Sequence, residues 1–500
     1  MTKLNRKLIF YIIGLLLLFN GIAMLSSSLV SLITNDGVLK EVTVSAVFTI
    51  VLGCIIMSFT KSNIRQINKR DGYIIVTIGW LTMVISGMLP YYLTDSITFF
   101  PNLFFETMSG YTTTGSTILN DIEALPKSII FWRSMTHWLG GMGIIVLAIA
   151  ILPLLGIGGM QLYSAEAPGT GINGDKIHPR ISDTAKRLWM IYVGLTLLET
   201  VLLKLAGMSF FDAINNSMSN IASGGFSSKN ASIGYWNDVP IIQYIIILFM
   251  FLAGTNFILI YFGLTGKFKK IFQDTEFKWY LSFVIAFVVM VTLVLYLSVD
   301  LSDTGVFHPQ IYGKFESSFR HALFQVVAIV TTTGFVTGDF ISWTPFLTML
   351  FFGIMFMGGS SGSTSGGVKV MRHLILIKNG MLEFRKSLHP NAIFHLRHNN
   401  SVVEKPIIIH VLAFFILYLI LFIIGAGVLS LLGLDFESAI GGAASSIGNI
   451  GPALGTLGPL NSFDSLPVFG KYWCAFLMLI GRLELFTVLI LFTPYFWRDH

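Results

Sequence analysis

Only two cysteines occur in 500 residues, Cys54 and Cys474, both inside apolar runs, so neither a disulfide framework nor a thiolate metal site is available. Charge is scarce too: 12% of residues are Asp, Glu, Lys or Arg, against roughly 25% in soluble proteins. The ten histidines, His137, His321, His373 and His410 among them, are scattered singly, and no Asp-rich or His-Glu motif occurs. An intramembrane enzyme would need carboxylates or imidazoles clustered on one cavity, so the chain reads as no enzyme, with no cofactor bound. What is plentiful is apolar sequence. Hydrophobic residues make up 54% and the mean hydropathy is +0.75, which points to a polytopic membrane protein.

Crossing a hydrocarbon core of about 30 Å takes about 20 helical residues, and runs of that length recur along the chain. The first, from Leu8 to about Ile33 behind Lys3, Arg6 and Lys7, outruns the apolar region of about 7 to 15 residues in a cleaved signal peptide. A second extends from Val42 to Phe59. This N-terminal hairpin reads as a packing or assembly element.

Four short polar turns organise the rest. Thr112-Thr113-Thr114-Gly115-Ser116 returns as Ala222-Ser223-Gly224-Gly225-Phe226, as Thr331-Thr332-Thr333-Gly334-Phe335 and, most diverged, as Gly448-Asn449-Ile450-Gly451-Pro452. The marker glycines stand about 110, 109 and 117 residues apart, a period that signals internal repeats. Each turn follows a stretch too short to cross (Phe99 to Tyr111, Phe210 to Ile221, Phe315 to Val330, Phe436 to Ile447) and lies between longer apolar runs.

Non-helical backbone at membrane depth survives only where protein surrounds it or water lines it, so four such turns predict a common axis. Carbonyls converging there can replace the hydration shell of a monovalent cation, with the partly negative C-terminus of each half-helix aimed at the same point. The candidate ion-binding backbone is Thr112, Thr113, Thr114 and Gly115; Ser223, Gly224 and Gly225; Thr332, Thr333 and Gly334; and Asn449, Ile450 and Gly451. Glycine at the marker position permits the positive φ that turns carbonyls inward. No ring of Asp or Glu stands in the turns, since Asp121 and Asp339 lie past them, which favours carbonyl coordination over a carboxylate site for calcium or magnesium. Asn449 and Ile450 depart from four-fold likeness.

The predicted fold is all-α and polytopic: four pseudo-symmetric span, pore loop, span repeats around one pore, plus the N-terminal hairpin, about ten transmembrane helices. Residues 1–65 hold the hairpin, 66–160 repeat 1, 161–266 a cytoplasmic loop and repeat 2, 267–378 repeat 3, and 379–500 a cytoplasmic loop and repeat 4. Expected outer spans are about Gly72 to Leu93 and Trp132 to Leu155, Arg187 to Met208 and Pro240 to Leu264, Trp279 to Val299 and Trp343 to Val370, and Pro406 to Leu432 and Pro467 to Phe492. The loop from Gly156 to Lys186, rich in glycine and proline, reads as a solvated connector, to which the family resemblance described below adds a face for a cytosolic regulator. Ten spans put both termini on one side. That side carries three basic residues before Leu8, four at 61–70, four at 176–187, four at 267–278, seven at 369–405 and Arg498, together 23 of the 32 lysines and arginines, so it is cytoplasmic and the turns enter from outside. The basic excess is thus a matter of lipid insertion, and nucleic acid is not a partner.

Two further features lie on the cytoplasmic side of the turns. Gly358, Gly359, Ser360, Ser361, Gly362, Ser363, Thr364, Ser365, Gly366 and Gly367 interrupt an apolar run at a density of glycine and serine that cannot hold a helix. The Walker pattern fails, because Lys369 is followed by Val370, so the run reads as a flexible loop crossing the pore in a broken helix, or as a kink. Arg482 lies deep in an apolar run, at a cost of about 2.5 to 3.5 kcal/mol, so it needs a partner or a use. Glu484 is two residues away and points to another helix face, which leaves Arg482 projecting toward the pore as a barrier to cations, with the buried pair as the alternative.

The four turns, together with Gly159-Met160-Gln161-Leu162-Tyr163, Glu166-Ala167-Pro168, the Gly358 to Gly367 run and Arg482, resemble the superfamily of Trk, Ktr and plant HKT potassium transporters. The likeness covers nearly the whole chain, and the two extra N-terminal spans point to its TrkH branch. The resemblance implies potassium as the substrate, because HKT members that prefer sodium tend to have serine where Gly115 stands. It also implies an intramembrane gate at Gly358 to Gly367, a homodimer, a cytosolic TrkA-type nucleotide-binding regulatory subunit, and the bacterial cytoplasmic (inner) membrane. Proton- or sodium-coupled symport through Glu106, Glu199 or Asp212, and a less selective cation channel, stay open. Glu106, on the first half-helix, reads more simply as orienting the turn through backbone hydrogen bonds.

Overall fold

The computed structural model describes residues 4–60, 69–151, 181–301, 308–399, 401–403 and 405–498. The N-terminal hairpin is formed by helices Arg6–Thr34 and Leu39–Thr60. Gly14 and Gly53 meet at their crossing, where a Cβ on Gly53 would stand 2.7 Å from the Gly14 carbonyl oxygen. Lipid tails offer no hydrophobic drive between helices, and small residues permit the close backbone approach that replaces it. The hairpin also reaches inward. Buried Asn20 donates to Ser86 Oγ at 2.8 Å and accepts from the Tyr111 hydroxyl at 2.7 Å, and Tyr111 is the last residue before the first turn.

Among the described residues six helices are long and apolar enough to cross a membrane, and two bent pairs pass the same test together. The half-helices are Phe100–Tyr111, Phe210–Ile221, Lys314–Val330 and Phe436–Gly448. Their starts follow local chemistry: Pro101 in the first turn of one, and side-chain caps from Ser209 and Asp435 in two others. Their ends share a single geometry, described below.

The spans after the turns depart from the simple plan. Residue 355 onward is non-helical between Pro345–Ile354 and Val370–Leu388, as the glycine-serine run predicts. Two spans expected to be continuous are bent by 110°, Pro240–Ala253 against Phe257–Leu264 and Val468–Arg482 against Phe486–Phe492. In the first, Asn256 caps a new helix by accepting from the Ile258 amide at 2.9 Å. In the second, Glu484 and Leu485 take φ values of 57° and 51°, which no helix accommodates. Helix Ile181–Leu205 begins ahead of Lys186, inside the expected connector. The rest of that connector, with Gly159 to Tyr163 and Glu166 to Pro168, lies outside the described residues, as do Lys61 and Arg65. An antiparallel pair of two-residue strands, Arg397–His398 with Ser401–Val402, is added to the all-helical plan.

Candidate functional site

Each half-helix ends in the same hydrogen-bonded reversal. In the first, the Thr113 amide donates to the Gly110 carbonyl and the Thr114 amide to Ser109, at 3.0 and 2.9 Å. The same pair of bonds runs from Ser223 to Asn220 and Gly224 to Ser219, from Thr332 to Ile329 and Thr333 to Ala328, and from Asn449 to Ser446 and Ile450 to Ser445. This is a Schellman motif, in which the residue after the cap is left-handed. Glycine usually fills that position, yet here Thr113, Ser223, Thr332 and Asn449 hold φ values of 50°, 56°, 53° and 53°. Non-glycine residues pay a strain of order 1–3 kcal/mol for this. Asn449 tolerates αL well, so the fourth turn keeps the backbone of the others despite its diverged letters.

Two residues later the marker glycines Gly115, Gly225, Gly334 and Gly451 again have positive φ, of 86°, 79°, 75° and 106°. Their surroundings close a circle. A Cβ on Gly115 would overlap the Gly224 carbonyl oxygen, one on Gly225 that of Thr333, and one on Gly334 that of Ile450, while one on Gly451 would stand 2.8 Å from that of Thr114. Each marker glycine therefore abuts the carbonyl just before the marker glycine of the next repeat, and the fourth abuts the first. The turns form a ring, and all four glycines line one vestibule together with Ser116, Ser227 and Asn461. Ser116 Oγ donates to the Gly451 carbonyl at 2.9 Å, and Asn449 Nδ2 donates to Thr114 Oγ1 at 2.9 Å, which fastens the fourth turn to the first.

Behind this ring stands buried polar scaffolding. Glu106 accepts from Thr117 Oγ1 and the Ile118 amide at 3.0 and 2.9 Å and from Arg133 Nε at 2.9 Å, so its carboxylate holds the chain just past the first turn. Arg133 was not singled out in the sequence; it lies in a polar run of an otherwise apolar helix, and its guanidinium also faces the Phe226 ring at 3.9 Å. His137 stacks on the same ring, 4.0 Å between centroids. The singly scattered histidines are not all single in space, since His308 stacks on His321 at 3.7 Å. Outside the membrane the Asn230 amide bonds Asp121 at 3.0 Å and holds its carboxyl below the usual range.

The Gly358 to Gly367 segment lies against the second and third turns of the ring. Thr364 Oγ1 is 2.9 Å from Ser223 Oγ and donates to the Ile221 carbonyl at 2.9 Å, and the Gly366 amide donates to Thr332 Oγ1 at 2.6 Å. The segment is pinned laterally as well. The Ser360 amide donates to Gly254 at 2.8 Å and Gly362 accepts from Phe257 at 3.2 Å, so the unforeseen bend after Ala253 is a seat for it. The small and polar run Gly254-Thr255-Asn256 inside an apolar stretch was the available signal. Arg482 ends the helix that it was expected to continue, and its guanidinium donates to the carbonyls of Thr364, Gly140 and Gly141 at 2.9, 2.8 and 3.0 Å. Glu484 pairs with Arg372 instead, across the break.

The family model described as TrkH, cation transport protein, matches residues 39–498. The chain belongs to the TrkH family. It is 41% identical to the Trk system potassium uptake protein TrkH of Salmonella typhimurium over 495 residues, 98% of each chain. It is 32% identical to the Trk system potassium uptake protein TrkG of Escherichia coli over the full length of both. The crystal structure of the potassium transporter TrkH from Vibrio parahaemolyticus matches with a TM-score of 0.86 at 36% identity, covering 98% of this chain and 99% of that one. This is a family of multi-pass membrane transporters, not of enzymes.

Proposed function

We propose that this TrkH-family chain takes up potassium across the bacterial cytoplasmic membrane through the ring of carbonyls at its four turns. The observation that carries this reading is the cyclic contact of each marker glycine with the carbonyl of the next repeat around one vestibule, a geometry suited to an alkali cation without its water shell. The membrane potential supplies the drive, worth about 2.3 kcal/mol per charge per 100 mV. Residues 358–367 are the gate, because they occupy the space under the second and third turns, and Arg482 both fixes Thr364 and sets a positive barrier beneath the ring. Both termini are cytoplasmic. The chain works as a homodimer with a cytosolic TrkA-type nucleotide-binding ring, a reading supported by the Trk system names of its relatives.

Coupled symport is the second reading, favoured by Glu199. This carboxyl accepts from Asn220 on the second half-helix at 2.6 Å, and its other oxygen is buried with no hydrogen-bond partner. Reversal potentials in liposomes under opposed potassium and pH gradients separate the two. A potential that follows potassium alone supports the conduit; one that shifts with pH supports coupling and sinks it.

A further inference from the structure

The glycine-serine segment and the helix that follows it converge on one further buried side chain. Glu276, at the start of helix Thr275–Ser298 and 1% exposed, accepts through Oε1 from the Ser361 amide at 2.6 Å and from the Met371 amide at 3.2 Å. Ser361 lies in the crossing segment and Met371 in the first turn of helix Val370–Leu388, so a single carboxylate clasps the loop to the helix that follows it. A buried backbone amide left without its acceptor costs about 1–3 kcal/mol, so the shared oxygen holds both donors in place.

The clasp continues to the cytoplasmic surface. Asp274 caps the Glu276 helix by accepting from the Phe277 amide at 2.8 Å, and it also accepts from Asn399 Nδ2 at 2.8 Å. The Thr275 amide donates back to Asn399 Oδ1 at 2.9 Å. Asn399 sits in the tight reversal between the two short strands, whose flanking Leu396 and Val403 are buried with Met371 and Leu374. Lys378, on the same helix as Met371, donates to the Arg397 carbonyl at 3.0 Å. The strand pair thus grips both helices that Glu276 joins.

We propose that Glu276 is the positioning residue that latches the crossing segment shut, and that the Asn399 hairpin is the handle through which a cytoplasmic load releases it. The proposal rests on the reading of residues 358–367 as the gate. The hairpin holds the Glu276 helix through Asn399 and helix Val370–Leu388 through Lys378, so a load on it strains the Glu276 bonds at the junction of the two.

The test is potassium flux through purified full-length protein in liposomes, with no partner added. Glu276→Ala raises basal flux roughly tenfold, the loss of one buried acceptor for two backbone donors allowing for it, and leaves the potassium to sodium permeability ratio unchanged. Glu276→Gln, whose amide oxygen still accepts, raises it less. Asn399→Ala also raises flux, and combined with Glu276→Ala gives no more than Glu276→Ala alone, because both lie on one path. A monodisperse Glu276→Ala protein with unaltered flux, or one whose permeability ratio changes, overturns the latch. If that variant does not fold, Glu276→Gln decides alone, and unchanged flux overturns the proposal. Deleting residues 360–365 separates the two layers. Raised flux there with none from Glu276→Ala rejects the latch only, whereas no rise from either rejects the gate reading itself.

Discussion

The two ends of the pore obey different rules. At the turns, four repeats about 110 residues apart adopt one backbone, with the same two hydrogen bonds, the same left-handed residue and the same glycine contact. In the spans after the turns they diverge: one repeat is broken by glycine and serine, one bends at Asn256, and one bends at Glu484. On the proposed reading a cation stripped of water needs equal oxygens on all sides, which constrains the ring, and a gate needs one moving part and fixed seats for it, which the asymmetry below the ring would supply.

The comparison can be broken from the outside first. Arg133→Ala leaves Glu106 charged and buried without its cation, and removing one partner of such a pair costs about 3–5 kcal/mol. A large drop in thermal stability, with sodium leak in what remains folded, is expected from melting curves and flux. Asn20→Ala takes the acceptor from the buried Tyr111 hydroxyl, while Ser86 keeps its bond to the Thr82 carbonyl, a loss of about 1–3 kcal/mol. Because Tyr111 precedes the first turn, this variant is expected to lower stability and to alter the permeability ratio together. A change in stability alone returns the N-terminal hairpin to a packing role.

On the cytoplasmic side, Arg482→Ala removes a donor from Thr364 and a positive charge from beneath the ring, and basal potassium flux is expected to rise several-fold with selectivity intact. A variant that merely assembles poorly, with flux per folded molecule unchanged, assigns Arg482 to scaffolding instead. The smallest effect is expected at the outer rim. Asn230→Ala removes the side-chain donor from Asp121 and leaves the Glu123 and Ala124 amides; the lowered carboxyl value means that the clamp contributes above the usual carboxylate range and is lost as pH falls through the folded value. Acid unfolding should begin at slightly higher pH in the variant, with flux at neutral pH unaffected.

How much of this could be read from letters follows the same division. The half-helices were legible to within one residue at Phe100, Phe210, Lys314 and Phe436, because each is bounded by turn chemistry that recurs. The left-handed Thr113 and Thr332 were not, since a β-branched residue in αL contradicts local preference and is imposed by the ring. The bends after Ala253 and Arg482 were marked only by short interruptions of long apolar runs, Gly254-Thr255-Asn256 and Gly481-Arg482-Leu483-Glu484, which do not by themselves tell a break from a tolerated polar residue. Arg133 and Glu276 escaped notice because their partners are far away in sequence, and one of those partners is backbone. Arg482 and Glu484 do part as expected, but because the helix ends at Arg482 and not because of helical spacing, and the Arg372 that takes Glu484 was not readable.

The most direct measurement is the bi-ionic potassium and sodium reversal potential of four single variants, Gly115→Ser, Gly225→Ser, Gly334→Ser and Gly451→Ser. Every one places a side chain against a carbonyl of a neighbouring turn, at a backbone angle that disfavours it. If the four turns make one ring, all four variants lose discrimination against sodium. A shift confined to one variant, with the other three retaining the parent potential, would contradict a shared pathway.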